Sequence, residues 1–453
     1  MLTDLGQWHI FKIVLGDDQV TDAEKGQNLG GFSRRDFLQL GSVGTLSTMY
    51  ACYPQESLIG EGSIQAVISP PQSVDDHSWK DIRESFILDK GSVYMNNASL
   101  GLPPLEVVQA VTRGYRAISK DPIAGKTMLQ EIITQRVKPQ LSRIFNVENS
   151  QIVLTRNASE GLYLQSLGLR LHPGDEVLIT TQEHPAGYRP WRVREDRDGI
   201  RVSEVFIPSP FTSKDDVINR IRNSIKTETK AVSFCHVTRG GHLYPVKELV
   251  ELAQEYGLFS LVDGAQAVGQ FPIDLADIGC DAYSASLHKW MLGPIGTGFL
   301  FVSQSGRSAI QTSFSADATT EAPAYAPPGT VSLPVYAALE TALDILTSIG
   351  LHRIEDRCRF LSDYLKESLK KLGGVQVLSA SSTKLSCPGS TIFEARGIDA
   401  VNFVSVMAQE HRIHVDEHQR DGHNAIRIST HIYNTQEEID RLVEALKQEM
   451  KKA

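Results

Sequence analysis

The chain has 453 residues, 41% of them hydrophobic and 22% charged, with a formal net charge of -9. This length predicts a large domain together with a smaller one. An acidic chain without a basic stripe does not suit nucleic acid phosphates, and no apolar run approaches the ~20 residues that a membrane span needs. The five cysteines lack the CxxC spacing of zinc ribbons and redox pairs. We therefore expect a small-molecule partner.

The first 52 residues contain a pattern that is typical of export signals. Arg34 and Arg35 precede Phe37 and a weakly apolar stretch at residues 40–51, which resembles a twin-arginine signal. Cys52 follows as a candidate lipid-anchor site. The alternative is an amphipathic leader that carries two arginines by chance. We predict export to the periplasm or cell envelope, and a cytoplasmic protein if the signal is false.

Residues 53–80 are predicted to be a linker, and a regular alternation of elements follows over residues 81–332. Apolar runs predict buried strands, and longer periodic stretches between them predict helices. The strands lie at residues 151–154, 176–179, 230–234 and 259–262, and the helices include residues 160–171 and 246–256. This alternation predicts an α/β fold with a mainly parallel, doubly wound sheet, whose ligands bind beyond the carboxyl ends of the strands.

The pattern changes in residues 333–453. Amphipathic helices are predicted at residues 333–349 and 353–372, short strands near Ile392 and Ile426, and a last helix at residues 436–450. We expect a small α+β C-terminal domain here.

Lys289 is the first candidate catalytic residue. It lies in Ser286-Leu287-His288-Lys289-Trp290, just before the glycine-rich stretch 293–298. A partly desolvated amine has a lowered pKa, which Schiff-base chemistry requires. Because an isolated lysine is most often a solvated surface charge, the weight of this motif depends on others upstream.

Asp263 ends the predicted strand at residues 259–262, and Gln266 follows it. A carboxylate at this position can pair with a protonated pyridine nitrogen and keep pyridoxal 5'-phosphate (PLP) electron-withdrawing. Gln266 could donate a hydrogen bond to the phenolate oxygen of the same ring. The simpler alternative for Asp263 is a helix N-cap.

Two more strand ends carry candidate cofactor ligands. Asn157 and Glu160 resemble a capping box, and the small Ala158 and Ser159 would let a phosphate approach the free N–H groups of the first helical turn. His184 follows another strand and could stack on a pyridine ring. Taken alone, each of these is more common as a cap or a surface residue.

Together these stretches resemble the class V aminotransferase family of fold-type I PLP enzymes, which includes cysteine desulfurases, kynureninase-like enzymes and isopenicillin N epimerase-like proteins. The resemblance begins near Val93 and extends to the C-terminus. The family's Ser-x-His-Lys motif stands at residues 286–289, so the resemblance implies that Lys289 carries PLP and that Ser286 and His288 help to hold its phosphate. It also implies a fold-type I PLP transferase fold.

Other motifs of the family follow the same order. Its Asp-x-x-Gln matches Asp263 and Gln266, and its Glu-His-Pro-Ala makes His184 the ring-stacking residue. Gly329 and Thr330 resemble the Gly-Thr that reaches the phosphate of the partner subunit, which implies a homodimer.

The C-terminal motif that begins at Arg427 resembles the one whose arginine binds the substrate carboxylate. A guanidinium suits this role because it can donate two parallel hydrogen bonds to a planar carboxylate.

Two departures from the family pattern bear on function. Residues 236–242 replace a region that often presents an asparagine to the ring oxygen, and Thr238 or Arg239 are the candidate substitutes. Cysteine desulfurases need a loop cysteine shortly before the C-terminal arginine, but residues 415–425 contain none and Cys387 lies far upstream. The sequence therefore disfavours desulfuration.

A histidine-rich stretch near Arg427 matches no metal-binding motif, and we predict a polar loop at the pocket mouth without a metal. Its residues are His411, His414, Asp416, Glu417, His418 and His423.

The sequence as a whole predicts a PLP-dependent enzyme that acts on an amino acid or a related amine. In the simplest case it is an aminotransferase in which Lys289 moves the α-proton, Asp263 holds the ring nitrogen protonated and Arg427 fixes the carboxylate. The alternatives are an isopenicillin N epimerase-like epimerase or lyase, and an exported PLP-fold binding protein that has lost catalysis.

Overall fold

A computed structural model describes residues 76–312, 314, 322–380 and 382–452. The predicted signal with Cys52 and most of the predicted linker therefore lie outside the described residues. By its contacts, the described part of the chain lies within one compact unit. None of the described helices combines the length and the apolar character that crossing a bilayer requires.

The helices occur throughout the described chain, and a π-helical turn (Ile133–Val137) joins the third to the fourth. They are α1 (Asp76–Glu84), α2 (Leu105–Lys120), α3 (Pro122–Ile132), α4 (Lys138–Phe145), α5 (Ala158–Gly168), α6 (Pro185–Asp198), α7 (Lys214–Ser224), α8 (Val246–Glu255), α9 (Leu275–Ile278), α10 (Gln304–Ala309), α11 (Leu333–Ala337), α12 (Leu339–Ile349), α13 (Leu351–Lys370), α14 (Ala400–Glu410) and α15 (Gln436–Lys452).

The strands form one large sheet and two smaller ones. They are β1 (Val93–Tyr94), β2 (Ile152–Thr155), β3 (Glu176–Thr180), β4 (Arg201–Val205), β5 (Thr229–Cys235), β6 (Phe259–Asp263), β7 (Ala282–Ser286), β8 (Gly298–Val302), β9 (Val375–Val377), β10 (Ser390–Ala395), β11 (Ile413–His414), β12 (Asp416–His418) and β13 (Ala425–Ser429).

The large sheet has the order β2-β8-β7-β6-β5-β3-β4. Only β8 is antiparallel to its neighbours, β2 and β7, and the other pairs are parallel. Consequently β2 runs in the same direction as β3, β5, β6 and β7, and all five carboxyl ends lie at one edge of the sheet. The predicted α/β class with a mainly parallel sheet is confirmed.

The central strands of this sheet are almost entirely buried because helices cover both faces. Val177, Leu178 and Ile179 of β3 are all completely buried, as expected for a parallel sheet that has no solvent side. An apolar cluster lies on each face, one around Phe234 and Leu249 and the other around Val177 and Ile179 of β3 and Trp191 of α6.

The four-stranded sheet β12-β13-β10-β9 uses residues 375–429 and packs on α13, α14 and α15 around its own apolar cluster. The large sheet takes its strands from residues 152–302, so the two sheets lie on either side of the predicted boundary at 332/333. One strand pairing joins residues from the two sides of that boundary, because β1 pairs in parallel with β11. The domain division itself stays a prediction.

Candidate active site

A cleft of about 740 Å³, open solvent at its mouth included, lies at the carboxyl edge of the large sheet. Eight of the residues that the sequence predicts for the site line this cleft: Ala158, Ser159, His184, Asp263, Gln266, Ser286, Lys289 and Arg427. Seven of them end or follow the parallel strands β2, β3, β6 and β7, and Arg427 lies on β13 of the four-stranded sheet.

Lys289 follows β7 and is held by its main chain. The Gly101 N–H donates to His288 O at 2.9 Å, and Asn97 Nδ2 donates to Lys289 O at 3.4 Å. Burial lowers the pKa of the Lys289 amine to about 8; Asp263 opposes this shift, and the nearby Arg427 adds to it. A substantial fraction of the amine is therefore unprotonated and nucleophilic near neutral pH.

Asp263 ends β6 with its side chain only 6% exposed. Its Oδ1 accepts a hydrogen bond from Ala265 N–H at 2.8 Å, while Oδ2 has no donor among the described residues. Burial raises the pKa of this carboxyl, and the Lys289 charge opposes the rise. A cationic partner in the cleft would stabilise the charged form of this carboxylate, and a protonated pyridine nitrogen is such a partner.

The N-terminus of α5 forms another wall of the cleft. Asn157 Oδ1 accepts from Glu160 N–H at 2.9 Å, and Ser286 Oγ accepts from Ala158 N–H at 2.9 Å. The N–H of Ser159 has no acceptor among the described residues and suits an anion such as a phosphate. The side chain of Asn157 itself caps the helix and does not line the cleft.

The capping box predicted at this helix is only half formed. The carboxylate of Glu160 returns to Arg156 N–H at 2.6 Å rather than to Asn157 N–H. Arg156 also pairs with Glu160 through its guanidinium at 2.9 Å, which draws the carboxylate one residue away from the cap.

His184 is the N-cap of α6 and faces the cleft. Its Nδ1 accepts from Ala186 N–H at 3.1 Å, so the hydrogen of the neutral ring is on Nε2. Loss of hydration, together with the charges of Lys289 and three arginines, lowers the pKa of His184 to about 4. A neutral imidazole with a fixed tautomer suits stacking better than it suits proton abstraction.

Gln266 and His288 are committed mainly to protein contacts. Gln266 Nε2 donates to Ala98 O at 2.8 Å, and Gln266 Oε1 accepts from Trp290 Nε1–H at 3.0 Å. One amide hydrogen of Gln266 remains for a ring oxygen. His288 Nδ1 bonds to Thr297 O at 2.9 Å, and this residue does not line the cleft.

Arg427 lies on β13 with its side chain 2% exposed. Its Nη2 donates to Asp416 Oδ2 through a short ion pair and to Asn96 Oδ1 at 3.4 Å, while its buried Nε has no partner. Burial lowers the pKa of Arg427 to about 10, although Asp416 opposes the shift. The guanidinium is still charged at neutral pH and has donors left for a carboxylate.

Of the two predicted substitutes for the family's asparagine, Arg239 is the one that lines the cleft. Thr238 Oγ1 instead accepts from His242 N–H at 3.1 Å within the loop after β5. Arg239 Nη2 donates to Glu417 Oε1 at 2.8 Å and lies 3.4 Å from Asp416 Oδ2.

Gly329 and Thr330 are exposed and do not line the cleft of their own chain. The resemblance assigned them to the phosphate of a partner subunit, so this position neither supports nor opposes that role.

The loop after β1 contributes to the site, although none of the predicted site residues lies in it. Ala98 and Ser99 line the cleft, Asn96 bonds to Arg427, and Gly101 supports Lys289. The signal that could have revealed it is the polar run Asn96-Asn97-Ala98-Ser99 between an apolar strand and a glycine.

The histidines near β12 do not converge on one point. His411 bonds to Glu449, His423 bonds to Glu394 and to a carbonyl, and His418 is buried. In the described part of the chain, one set of possible metal ligands lies close enough together, Glu410, His411 and Glu449. Lys452 forms ion pairs with both of its carboxylates, which accounts for the cluster without an ion.

Among the residues that line the cleft, Cys235 is the one cysteine. It is 4% exposed, and burial together with the neighbouring Glu183 and Asp263 raises the pKa of its thiol well above the usual value. A thiol in this state has almost no thiolate and is a poor nucleophile.

The residues of the cleft fit PLP. They provide an amine of lowered pKa, a buried carboxylate with a free oxygen, a free helical N–H beside a serine, and a neutral imidazole. These donors and acceptors match an aldehyde, a pyridine nitrogen, a phosphate and an aromatic face, respectively.

Comparison with known proteins agrees with this fit. The family described as Aminotransferase class-V matches residues 93–442. The chain is 26% identical to a probable cysteine desulfurase of Methanothermobacter thermautotrophicus over 82% of its own length and 97% of the relative's. It is 27% identical to the isopenicillin N epimerase of Amycolatopsis lactamdurans over 82% and 98%.

The fold is similar to that of the cystine C–S lyase C-DES in complex with cysteine persulfide, with a TM-score of 0.73 at 24% identity over 79% of this chain and 97% of that one. At this identity the likeness concerns the fold alone. With the family match covering most of the described chain, the protein belongs to the class V aminotransferases, a family of PLP-dependent enzymes.

Proposed function

We propose that the protein is an aminotransferase that removes the α-proton of an amino acid with Lys289 and passes the amino group to a keto acid. The observation that carries the proposal is the convergence of Lys289, Asp263 and Arg427 on one cleft. Bound PLP supplies an aldehyde for the substrate amine and a ring that withdraws electrons from Cα.

Each of the three residues has a separate task. Arg427 binds the α-carboxylate and so sets the orientation of the Cα–H bond. Lys289, with a pKa of about 8, takes that proton and returns it as general base and acid near neutral pH. Asp263 keeps the ring nitrogen protonated through its free Oδ2.

A single proton carrier supports transamination. His184 faces the cleft, but its Nδ1 is used by Ala186 N–H and its Nε2 carries the hydrogen, so Lys289 is the available base among the described cleft residues. Transamination would need one base, because the proton taken from the substrate Cα would be delivered on the same face to a carbon of the bound cofactor, whereas epimerisation through two bases needs a second base on the opposite face.

The second candidate is epimerisation or β-elimination, which begins with the same proton removal. Its support is the similarity to an isopenicillin N epimerase. Desulfuration through a protein thiol is disfavoured, since Cys235 is buried and residues 415–425 contain no cysteine.

The test uses purified holoenzyme with a panel of ¹⁵N-labelled amino acids, with and without an unlabelled keto acid. Transamination predicts ¹⁵N in the new amino acid only when the keto acid is present, and the Lys289→Ala variant should transfer none. Loss of configuration or release of a β-substituent without keto acid would favour the second candidate. A protein that holds PLP but whose absorbance no amine changes would be a binding protein.

We also propose that the protein is a homodimer exported by a twin-arginine-type route. The exposed Gly329 and Thr330, and exposed apolar side chains such as Tyr115 and Ile123 on α2 and α3, support the homodimer. Light scattering of the purified protein tests the dimer. Fractionation of cells that produce the chain with and without the Arg34-Arg35 pair replaced by lysines tests the export.

A further inference from the structure

The cleft contains more positive charge than the α-carboxylate of an amino acid needs. Arg427 projects from β13 and Arg239 from the loop after β5, and both line the same space. Their guanidinium groups converge on Asp416, since Nη2 of each lies within ion-pair distance of Asp416 Oδ2. One substrate carboxylate can be bound by Arg427 alone, which leaves Arg239 in excess.

Both arginines keep unused donors. Every hydrogen bond of Arg239 leaves from Nη2, to Asp416 and Glu417, and the described residues offer no acceptor to its Nε or Nη1. Arg427 likewise donates only from Nη2, and its Nε is buried without a partner. Two guanidinium groups that are fixed through one nitrogen present their other N–H groups to a ligand.

The cofactor phosphate would not require Arg239. It would have the N-terminus of α5 and Ser286 of β7, whereas Arg239 follows β5, on the other side of β6 and Asp263 in the sheet order. The carboxylates of Asp416 and Glu417 hold Arg239 in place, with its side chain 26% exposed. The charges of both arginines still reach the cleft, because after burial they contribute to lowering the pKa of His184 and of Lys289.

We propose that Arg239 binds a second anionic group of the substrate, so that the cleft selects acidic amino acids whose α-carboxylate is held by Arg427. This inference rests on the proposed action on amino acids, and it makes Arg239 the residue that determines substrate specificity. A bidentate guanidinium suits a distal carboxylate better than a lysine ammonium does.

The first arm of the test measures binding without turnover. Dicarboxylates (succinate, glutarate) and monocarboxylates of matched length (butyrate, valerate) are titrated into the holoenzyme and followed by the cofactor absorbance. We expect the wild type to bind the dicarboxylates more tightly and Arg239→Gln to lose roughly 10- to 150-fold in that affinity, as charge-assisted hydrogen bonds imply. Binding of the monocarboxylates should change less than about threefold, within the scatter of single contacts.

The second arm compares kcat/KM for glutamate and aspartate with that for the isosteric glutamine and asparagine. Arg239→Gln should lower the ratio of acidic to neutral substrates, and Arg239→Lys should restore part of it. The matched control is Arg222→Gln, which removes a surface arginine paired with Glu255 and should leave the ratio unchanged.

The inference is overturned if Arg239→Gln weakens acidic and neutral ligands equally. It is also overturned if the variant shifts the cofactor absorbance before any ligand is added, because Arg239 would then contact the cofactor ring. If no amino acid reacts but dicarboxylate binding depends on Arg239, the proposed function fails and the anion site stands.

Discussion

Glu183 is a buried acid next to the cleft whose titration should be visible in the stability of the protein. Its side chain is 2% exposed, and its Oε1 accepts a hydrogen bond from Thr180 Oγ1–H at 2.5 Å. Burial, together with the neighbouring Asp263, raises the pKa of this carboxyl to about 8, although the hydrogen bond from Thr180 opposes the rise. The group is therefore mostly protonated at pH 7.

The sign of the pH effect follows from proton linkage. Because the folded protein binds this proton more tightly than the unfolded chain, folding stability falls as the pH rises from about 4.5, the ordinary value, to about 8. At ~1.36 kcal/mol per pH unit, this difference corresponds to an upper limit of about 5 kcal/mol. Glu183→Gln keeps a similar shape and an acceptor for Thr180 but cannot ionise, so its stability relative to the wild type should increase across this window.

The assay is urea unfolding of cofactor-free protein at pH 5, 6, 7 and 8, because a bound pyridinium would offset the charge of Asp263. The matched control is Glu176→Gln. Burial would raise the pKa of Glu176, but its bonds with Lys226, Thr229 and Ser203 outweigh this and lower it below the ordinary value of 4.5, so this variant should be less stable than the wild type by an amount that stays constant from pH 5 to 8. A Glu183→Gln difference that is flat or decreases with pH would refute the reasoning.

Three further predictions concern the same cleft. Borohydride should fix PLP covalently to the wild type and not to Lys289→Ala, as judged by the mass of the peptide that contains this position; labelling elsewhere would remove Lys289 from its role. A Cβ added at Gly101 would lie 1.8 Å from Lys289 O. Gly101→Ala should therefore lower the free energy of unfolding by at least about 1–3 kcal/mol and weaken cofactor binding. The control Gly373→Ala, whose added Cβ meets nothing within 4 Å, should change neither quantity. Cys235→Ala should retain turnover within about threefold in the amino-transfer assay, since its thiol is protonated; abolished activity would revive a thiol mechanism.

The strand ends were predictable from sequence because a buried parallel strand is a short apolar run with a polar residue after it. Asp263 and His184 lie at such positions, and the order of the motifs indicated a common cleft. The partners within that cleft were not predictable, since Asp416 reaches Arg427 and Arg239 only through the pairing of β12 with β13.

The missed elements have the same kind of explanation. Ala282–Ser286 forms β7 although two of its five residues are serines, because the flanking strands β6 and β8 supply hydrogen-bond partners on both sides. The run at residues 333–349, predicted as one helix, is interrupted at Ala338 and forms α11 and α12. In β7 the pairing with neighbouring strands overrides local preference.

The pairing of β1 with β11 has a consequence for biosynthesis. Val93 meets Ile413, a residue that leaves the ribosome only after about 320 more have been translated. Until then the loop at residues 96–101 lacks the strand pairing that fixes its position. This loop contacts Lys289, Gln266 and Arg427 of the cleft. We therefore expect PLP to bind only once synthesis of the chain is nearly complete. A chain truncated before residue 413 should be unable to bind it.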